Sequence, residues 1–416
     1  MSAGTAGTLS TRGEPAPRVT RNTALALTAW AVAALVYVIA RLTDAEFSLF
    51  WAFGLAFGFV LQRARFCFAS AFRDIFLLGH GRNMKGLLLG LAVGSVGFGL
   101  VMSRQVPMSF LGILPPSANV LPLGVHTALG GLLFGVGMVL AGGCVSGSIY
   151  RMGEGYVASW VAFGGVMAGL LAAAHTWNWW WETTISSAPR FWLPNWIGHA
   201  GALVLTLLAL AAVYVLVLVV EHRAGMVVPP SPDLREPPES VSDELKSVAR
   251  SVFVRGWHIL PAGAVLGGLN VLLFTAQEPW GFTGEVSRWS IGIASLVNAA
   301  PAPLAGVEEL PGCVMVASNG LFFNHMLFLV SGMWFGSFAG ALGAGEFKLR
   351  VPRRPVRYAQ SLGGGVIMGY GAGIAMGCTI GAFFSAIPSL AVNGWVFAAF
   401  LAFGAWIGTQ MIQRIQ

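Results

Sequence analysis

The chain has 416 residues, of which 56% are hydrophobic and only 10% charged, with a mean hydropathy of +0.72. A soluble domain carries about 25% charged residues, so a soluble globule is excluded, and apolar runs of about 20 residues recur at the length that spans a bilayer. The formal net charge of +7 fits Lys and Arg gathered in cytoplasmic loops, and no basic patch interleaved with exposed aromatics points to a nucleic acid.

In chain order, residues 1–23 form a polar tail rich in Gly, Ser, Thr, Pro and Arg, predicted to be disordered and cytoplasmic. Spanning helices are predicted at 24–41 and 46–62. Between them and the next span lies Arg63-Ala-Arg65-Phe-Cys67-Phe-Ala-Ser-Ala-Phe-Arg73-Asp74. It is too charged for lipid and too apolar for a free loop, so a short re-entrant or interfacial helix is expected, shielded by protein where it enters the membrane. Further spans are predicted at 86–103, 124–141, 155–175 and 197–220. Trp177, Trp179, Trp180, Trp181, Trp192 and Trp196 read as an interfacial aromatic belt. Residues 221–256 are the one long hydrophilic interval, with five prolines, and read as a linker between a 24–220 half and a 257–416 half. Spans follow at 257–275, 321–343, 360–376 and 392–412. The stretch around Thr283, Glu285 and Arg288 follows its helix as the Cys67 stretch follows the second, and reads as a degenerate copy of it. The expected fold is all-α and polytopic, with about 9–10 membrane helices plus re-entrant ones.

One stretch occurs twice. Gly130 to Gly147 and Gly364 to Gly381 align without a gap at a constant offset of 234 residues, bringing Gly143-Cys144 and Gly147 onto Gly377-Cys378 and Gly381. Cations crowd the tail, the 63–85 region, the linker and the 345–358 loop, whereas the 104–123 and 176–196 loops carry one each. Both termini are therefore expected in the cytoplasm. The helix before Cys144 then runs inward and the helix before Cys378 outward, the inverted-repeat signature of a transporter.

Small residues let membrane helices approach closely, and glycines beside Cys144 and Cys378 permit a sharp break with exposed amides. A lone cysteine is commonly a buried small hydrophobe. Two cysteines in matched repeats, joined by Cys67 in a third interrupted stretch, favour function. Soft thiols suit Cu(I), but the closely spaced Cys or Met pairs that hold it are missing, so no metal site is expected. A sulfur-bearing anion is the other candidate, because a neutral thiol is a weak donor and a polarizable partner for terminal sulfur. Apolar flanks favour the neutral thiol.

Arg65-Phe-Cys67-Phe-Ala, Phe72-Arg73-Asp74, Gly143-Cys144-x-x-Gly147 and Gly377-Cys378-x-x-Gly381 together resemble the YeeE/YedE sulfur-transport family, over about 46–412. The resemblance implies a bacterial inner-membrane protein, hourglass-like, with short helices dipping in from both faces. It also implies thiosulfate uptake relayed between cysteines at the constriction, with selenium chemistry in some relatives. Carried over by residue, the relay thiols are Cys67, Cys144 and Cys378, with Gly143, Gly147, Gly377 and Gly381 around them. Cys313 has no place in the pattern and is expected to be dispensable. A sulfur acceptor, where one exists, is expected to be a separate cytoplasmic carrier protein.

Arg65 and Arg73 are candidates for attracting the anion, and snorkelling interfacial cations account for them equally well. Glu285 and Arg288 read as an interfacial ion pair, and His126 and His325 as structural histidines. Gly369-Tyr-Gly371-Ala-Gly373 lies inside an apolar span with no strand before it, so it is not a nucleotide loop and no cofactor is expected. A sulfite or selenium oxyanion transporter is the alternative within transport. A membrane sulfurtransferase would need a low-pKa nucleophile, and no activating base stands beside any of the three thiols.

Overall fold

The computed structural model describes residues 18–225, 252, 256–310 and 323–415; side-chain statements begin at residue 24. Residues 1–17 of the expected tail, most of the linker and Cys313 lie outside the described residues, and residues 18–23 of that tail are the start of the first helix. The elements are α1 (Arg18–Thr43), α2 (Ala45–Ala64), α3 (Phe68–Leu78), α4 (Arg82–Gln105), α5 (Val125–Ala141), α6 (Val145–Gly153) and α7 (Val157–Trp180). Then follow α8 (Pro194–Arg223), α9 (Ile259–Ala276), α10 (Thr283–Leu296), α11 (His325–Gly343), α12 (Val356–Ile374), the short wide-turned α13 (Thr379–Ser385) and α14 (Val392–Ile415). Among the described residues nine helical segments are long and apolar enough to cross a bilayer, or ten if α12 and α13, bent by 50°, count as one. The chain is a multi-pass membrane protein.

The two halves match element for element: α2–α7 recur as α9–α14. Their packing is mirrored as well. α2 lies along α11 as α9 lies along α4, and α7 lies along α12 as α14 lies along α5. At the centre α5 and α12, which are copies of each other, cross through glycine. A Cβ at Gly130 would lie 2.8 Å from the Gly371 carbonyl oxygen, and one at Gly371 2.7 Å from that of Gly130. A Cβ at Gly137 would lie 2.6 Å from the Gly364 carbonyl oxygen, and one at Gly364 2.8 Å from that of Gly137. As one register number rises the other falls, so these helices are antiparallel. Each contact is the image of another, as at a two-fold axis.

Between unlike elements the register runs the other way. A Cβ at Gly86 would sit 2.7 Å from the Ile259 carbonyl oxygen and one at Gly90 2.7 Å from that of Gly263, so α4 and α9 run parallel. Lipid gives helices no hydrophobic reason to associate, so backbone-to-backbone contact of this kind is what holds them. The halves are therefore interleaved, each long helix of one copy finding its closest neighbour in the other. α1 and α8 lean on α11 and α4 from outside and leave Leu27, Leu35, Leu208 and Leu216 exposed, the surface that lipid covers.

Loops of one copy latch the hairpins of the other. Before α12, the Arg350 backbone N–H donates to the Gly155 carbonyl at 2.8 Å, and Val157 N–H to the Arg350 carbonyl at 3.1 Å. Before α5, the Asn119 side-chain amide donates to the Gly381 carbonyl at 3.0 Å. The expected tryptophan belt divides. Trp179 and Trp196 are exposed, but Trp177 and Trp192 are fully buried, their indoles donating to the carbonyls of Ala305 and Ser389. Glu285 pairs with Arg288 at 3.4 Å. Its side chain is fully buried beside Arg288 and accepts from Trp289 Nε1 at 2.6 Å and Asn324 Nδ2 at 2.8 Å, partners that compensate its desolvation.

Candidate functional site

Three cysteines stand at three copies of one backbone joint. A helix ends, a residue two places before the cysteine turns left-handed, the cysteine is extended, and a short helix begins. The left-handed residues are Arg65 (φ 51°), Gly142 (φ 80°) and Met376 (φ 58°). Cys67, Cys144 and Cys378 have φ/ψ of −135°/118°, −77°/−178° and −91°/−170°, and begin α3, α6 and α13. Gly142 and Met376 occupy the same place in the two copies. Glycine takes this conformation freely, whereas a side-chain-bearing residue costs on the order of 1–3 kcal/mol. Two of the four non-glycine residues with positive φ among the described residues are at these joints. The fourth joint, before α10, has Phe282 in the capping place that Cys67 holds before α3, and no left-handed residue precedes it.

The three thiols are buried and free of disulfides, and all belong to one core with Phe66, Phe68, Phe134 and Trp280. A Cβ on Gly147 would lie 3.4 Å from Cys144 Sγ and 3.6 Å from Cys67 Sγ, so two sulfurs border the same glycine. The Gly147 N–H donates to Cys144 Sγ at 3.4 Å, and the Ser146 hydroxyl is 3.2 Å from that sulfur. From the other copy, the buried Thr379 hydroxyl stands by the Cys144 thiol without closing a hydrogen bond of good geometry. Its neighbour Cys378 donates its backbone N–H to Thr283 Oγ1 at 3.1 Å. Aromatic rings wall the region: Phe57 stacks on Trp280 at 3.8 Å, and Phe384 packs edge-on to Phe68 at 5.3 Å. Among the described residues no three His, Cys, Asp or Glu side chains converge as ligands for a metal ion.

Sequence reasoning missed Arg151. It lies two turns along α6 from Cys144, and its guanidinium binds the Gly142 carbonyl. It also reaches the Tyr150 hydroxyl at 3.3 Å and Cys67 Sγ at 3.6 Å. One side chain thus joins two of the joints. The seven-residue spacing from Cys144, which places both on one helical face, was the available signal. The two arginines that sequence singled out are engaged elsewhere. Arg65 is 76% exposed and pairs with Glu346 at 3.1 Å. Arg73 pairs with Asp74 at 2.8 Å. Gly143 faces Arg151, whose Nη1 would be 3.3 Å from an added Cβ, and Gly377 faces the Ala382 backbone. His126 is buried against the Pro122 carbonyl and His325 lies 3.1 Å from Glu278, both structural contacts.

At the end of α6 a polar cluster closes the same side. Arg63 and Gln62 both bind Glu346 Oε2, at 2.6 and 2.8 Å, and Gln62 also reaches Glu154 Oε1 at 3.4 Å. Arg350 donates to the carbonyls of Glu154 and Glu346. Burial pushes the Glu154 carboxyl above its ordinary range, although Arg151 and Gln62 pull the other way.

Comparison with known proteins follows the same stretch of chain. Residues 63–407 match the family described as Sulphur transport. The thiosulfate transporter TsuA of Escherichia coli K12 is 29% identical over 362 residues, covering 86% of this chain and 92% of that protein. TsuA of Spirochaeta thermophila is 32% identical over 371 residues, covering 85% and 95%. A probable transporter, YedE of Salmonella typhimurium, is 35% identical over 160 residues, 38% of each chain.

Proposed function

The chain belongs to the sulphur-transport family, and from that footing we propose that it is a bacterial inner-membrane permease for thiosulfate, carrying the anion past Cys378, Cys144 and Cys67 in turn. The observation that carries this reading is the threefold joint, which sets one buried thiol at each break and two sulfurs beside Gly147. The names of the TsuA relatives, which span most of this chain, support the same substrate.

The chemistry suits an anion with two unlike ends. Thiosulfate has an oxygen-rich end that prefers cations and a terminal sulfur that does not. Neutral thiols offer the terminal sulfur weak, polarizable S–H contacts. Such contacts exchange readily, because none costs much to break. A fixed arginine at every step would hold the oxygens too firmly for passage, and thiolates would repel the anion. Aromatic walls at Phe57, Phe68, Trp280 and Phe384 keep water away from the sulfurs, which favours the sulfur end over fully hydrated sulfate. Cation-rich segments around Arg63 and Lys348 support a cytoplasmic position for that side, and on this reading the order from Cys378 to Cys67 is inward.

The test is uptake of labelled thiosulfate into proteoliposomes, with and without a proton gradient, competed by sulfate, sulfite and selenite. Saturable uptake that sulfate does not compete away, and that is lost in Cys144→Ala, is expected. Uptake unchanged by that substitution, or a preference for selenite, would overturn the reading.

A further inference from the structure

Below the thiols, on the side that carries the cation-rich loops, a cavity of about 380 Å³ opens between α3, the end of α5, α6 and the start of α12. Its wall includes Arg73, Arg151, Arg357, Tyr156, Gln360 and Ser361, and no aspartate or glutamate. Arg73 is already met by Asp74. Among the described residues Arg151 and Arg357 have no carboxylate within ion-pair distance, and Glu154, three residues beyond Arg151, is turned to the Gln62 cluster instead. At about 30 Å³ per water, the space takes a tetrahedral oxyanion with a partial hydration shell. Arg151 links this cavity to the relay, since the same guanidinium touches Cys67 Sγ at 3.6 Å.

We infer that this cavity is a second anion site, a cytoplasmic station that holds a divalent sulfur oxyanion by its oxygens through Arg151 and Arg357. The inference rests on the permease reading for its place in the sequence of events, but not for binding itself. Guanidinium forks match oxyanion geometry with paired, charge-assisted hydrogen bonds. Confined positive charge with low-dielectric walls also concentrates anions. The two sites read opposite ends of one molecule: thiols the terminal sulfur, arginines the oxygens. The arginine site therefore accepts sulfate as well as thiosulfate, whereas the thiol passage does not.

The experiment is equilibrium binding of labelled thiosulfate and labelled sulfate to the full chain in nanodiscs, at low and high chloride, beside uptake by the same preparations. The wild type is expected to bind both anions, more weakly as chloride rises, and to transport only thiosulfate. Arg357→Gln, at an exposed rim position, should weaken binding of both anions about tenfold, the loss of one charge-assisted hydrogen bond. Arg151→Lys should weaken it similarly, and Arg357→Gln keeps the test decisive if loss of the Gly142 contact unfolds the lysine variant. Binding of both anions at wild-type strength in Arg357→Gln, or no sulfate binding by the wild type, would overturn the site. Arginine-dependent binding without any thiosulfate uptake would instead sink the permease reading and leave the site standing.

Discussion

The two copies share a backbone and differ in what they put on it. Where the first copy has Cys67, the second has Phe282; where the first has Arg151, seven residues after its cysteine, the second has Ser385. Ser385 donates to the Trp280 carbonyl at 2.8 Å and accepts from Asn270 at 3.2 Å, so it is neutral and fully occupied. The first copy thus offers two thiols and a cation, and the second one thiol and, in the place of the cation, a neutral serine. Duplication explains the shared frame, and the divergence explains how that two-fold frame becomes asymmetric in charge.

The comparison breaks most sharply at the one element both copies keep. Cys144→Ala and Cys378→Ala should each bring proteoliposome uptake to the protein-free background, with the protein still folded. Loss in one variant only would mean that the copies are not equivalent steps. Next, Arg151→Ser gives the first copy the side chain of the second. It should raise the half-saturating thiosulfate concentration about tenfold, or about 1.4 kcal/mol, in an uptake titration. The central crossing tests the frame itself. Gly130→Ala sets a methyl 2.6 Å from the Ala375 Cβ and should cost about 1–3 kcal/mol of overpacking, read as a lower unfolding midpoint. Gly142→Ala meets nothing within 4 Å and should cost only the left-handed backbone, about 1 kcal/mol.

The smallest effect concerns Glu154, whose place in the second copy is taken by Pro388. With its carboxyl pushed above the ordinary 4.5 by burial, the folded chain keeps this proton to higher pH than the unfolded chain. The associated stability is fully present below pH 4.5, drains as pH rises through the raised value, and is then level. Glu154→Gln should flatten that part of the curve of unfolding midpoint against pH. A slope unchanged from wild type would show that Glu154 is not the group responsible.

Much of this arrangement was legible in the chain. Spans follow from apolar length, and the inverted repeat from the matched Gly130–Gly147 and Gly364–Gly381 stretches with the placement of cations. The re-entrant α10 was visible only as a faint echo, since no cysteine marks it. Three features were not legible. The left-handed turn at Met376 is imposed by its tertiary setting, because methionine has no local preference for it. Arg151 looks like one more loop cation until α6 carries its guanidinium to Cys67, at the start of α3. Trp177 and Trp192 read as interfacial because tryptophan usually is, yet buried carbonyls of Ala305 and Ser389 draw their indoles inside.

Because α2 lies along α11, α4 along α9, and α5 and α12 cross by bare backbone, neither half owns a body that swings independently. A rocking motion of one repeat against the other would tear several seams at once. Under the permease reading, turnover then falls to the smallest parts, the short helices α3, α6 and α13, and not to a swing of one half against the other.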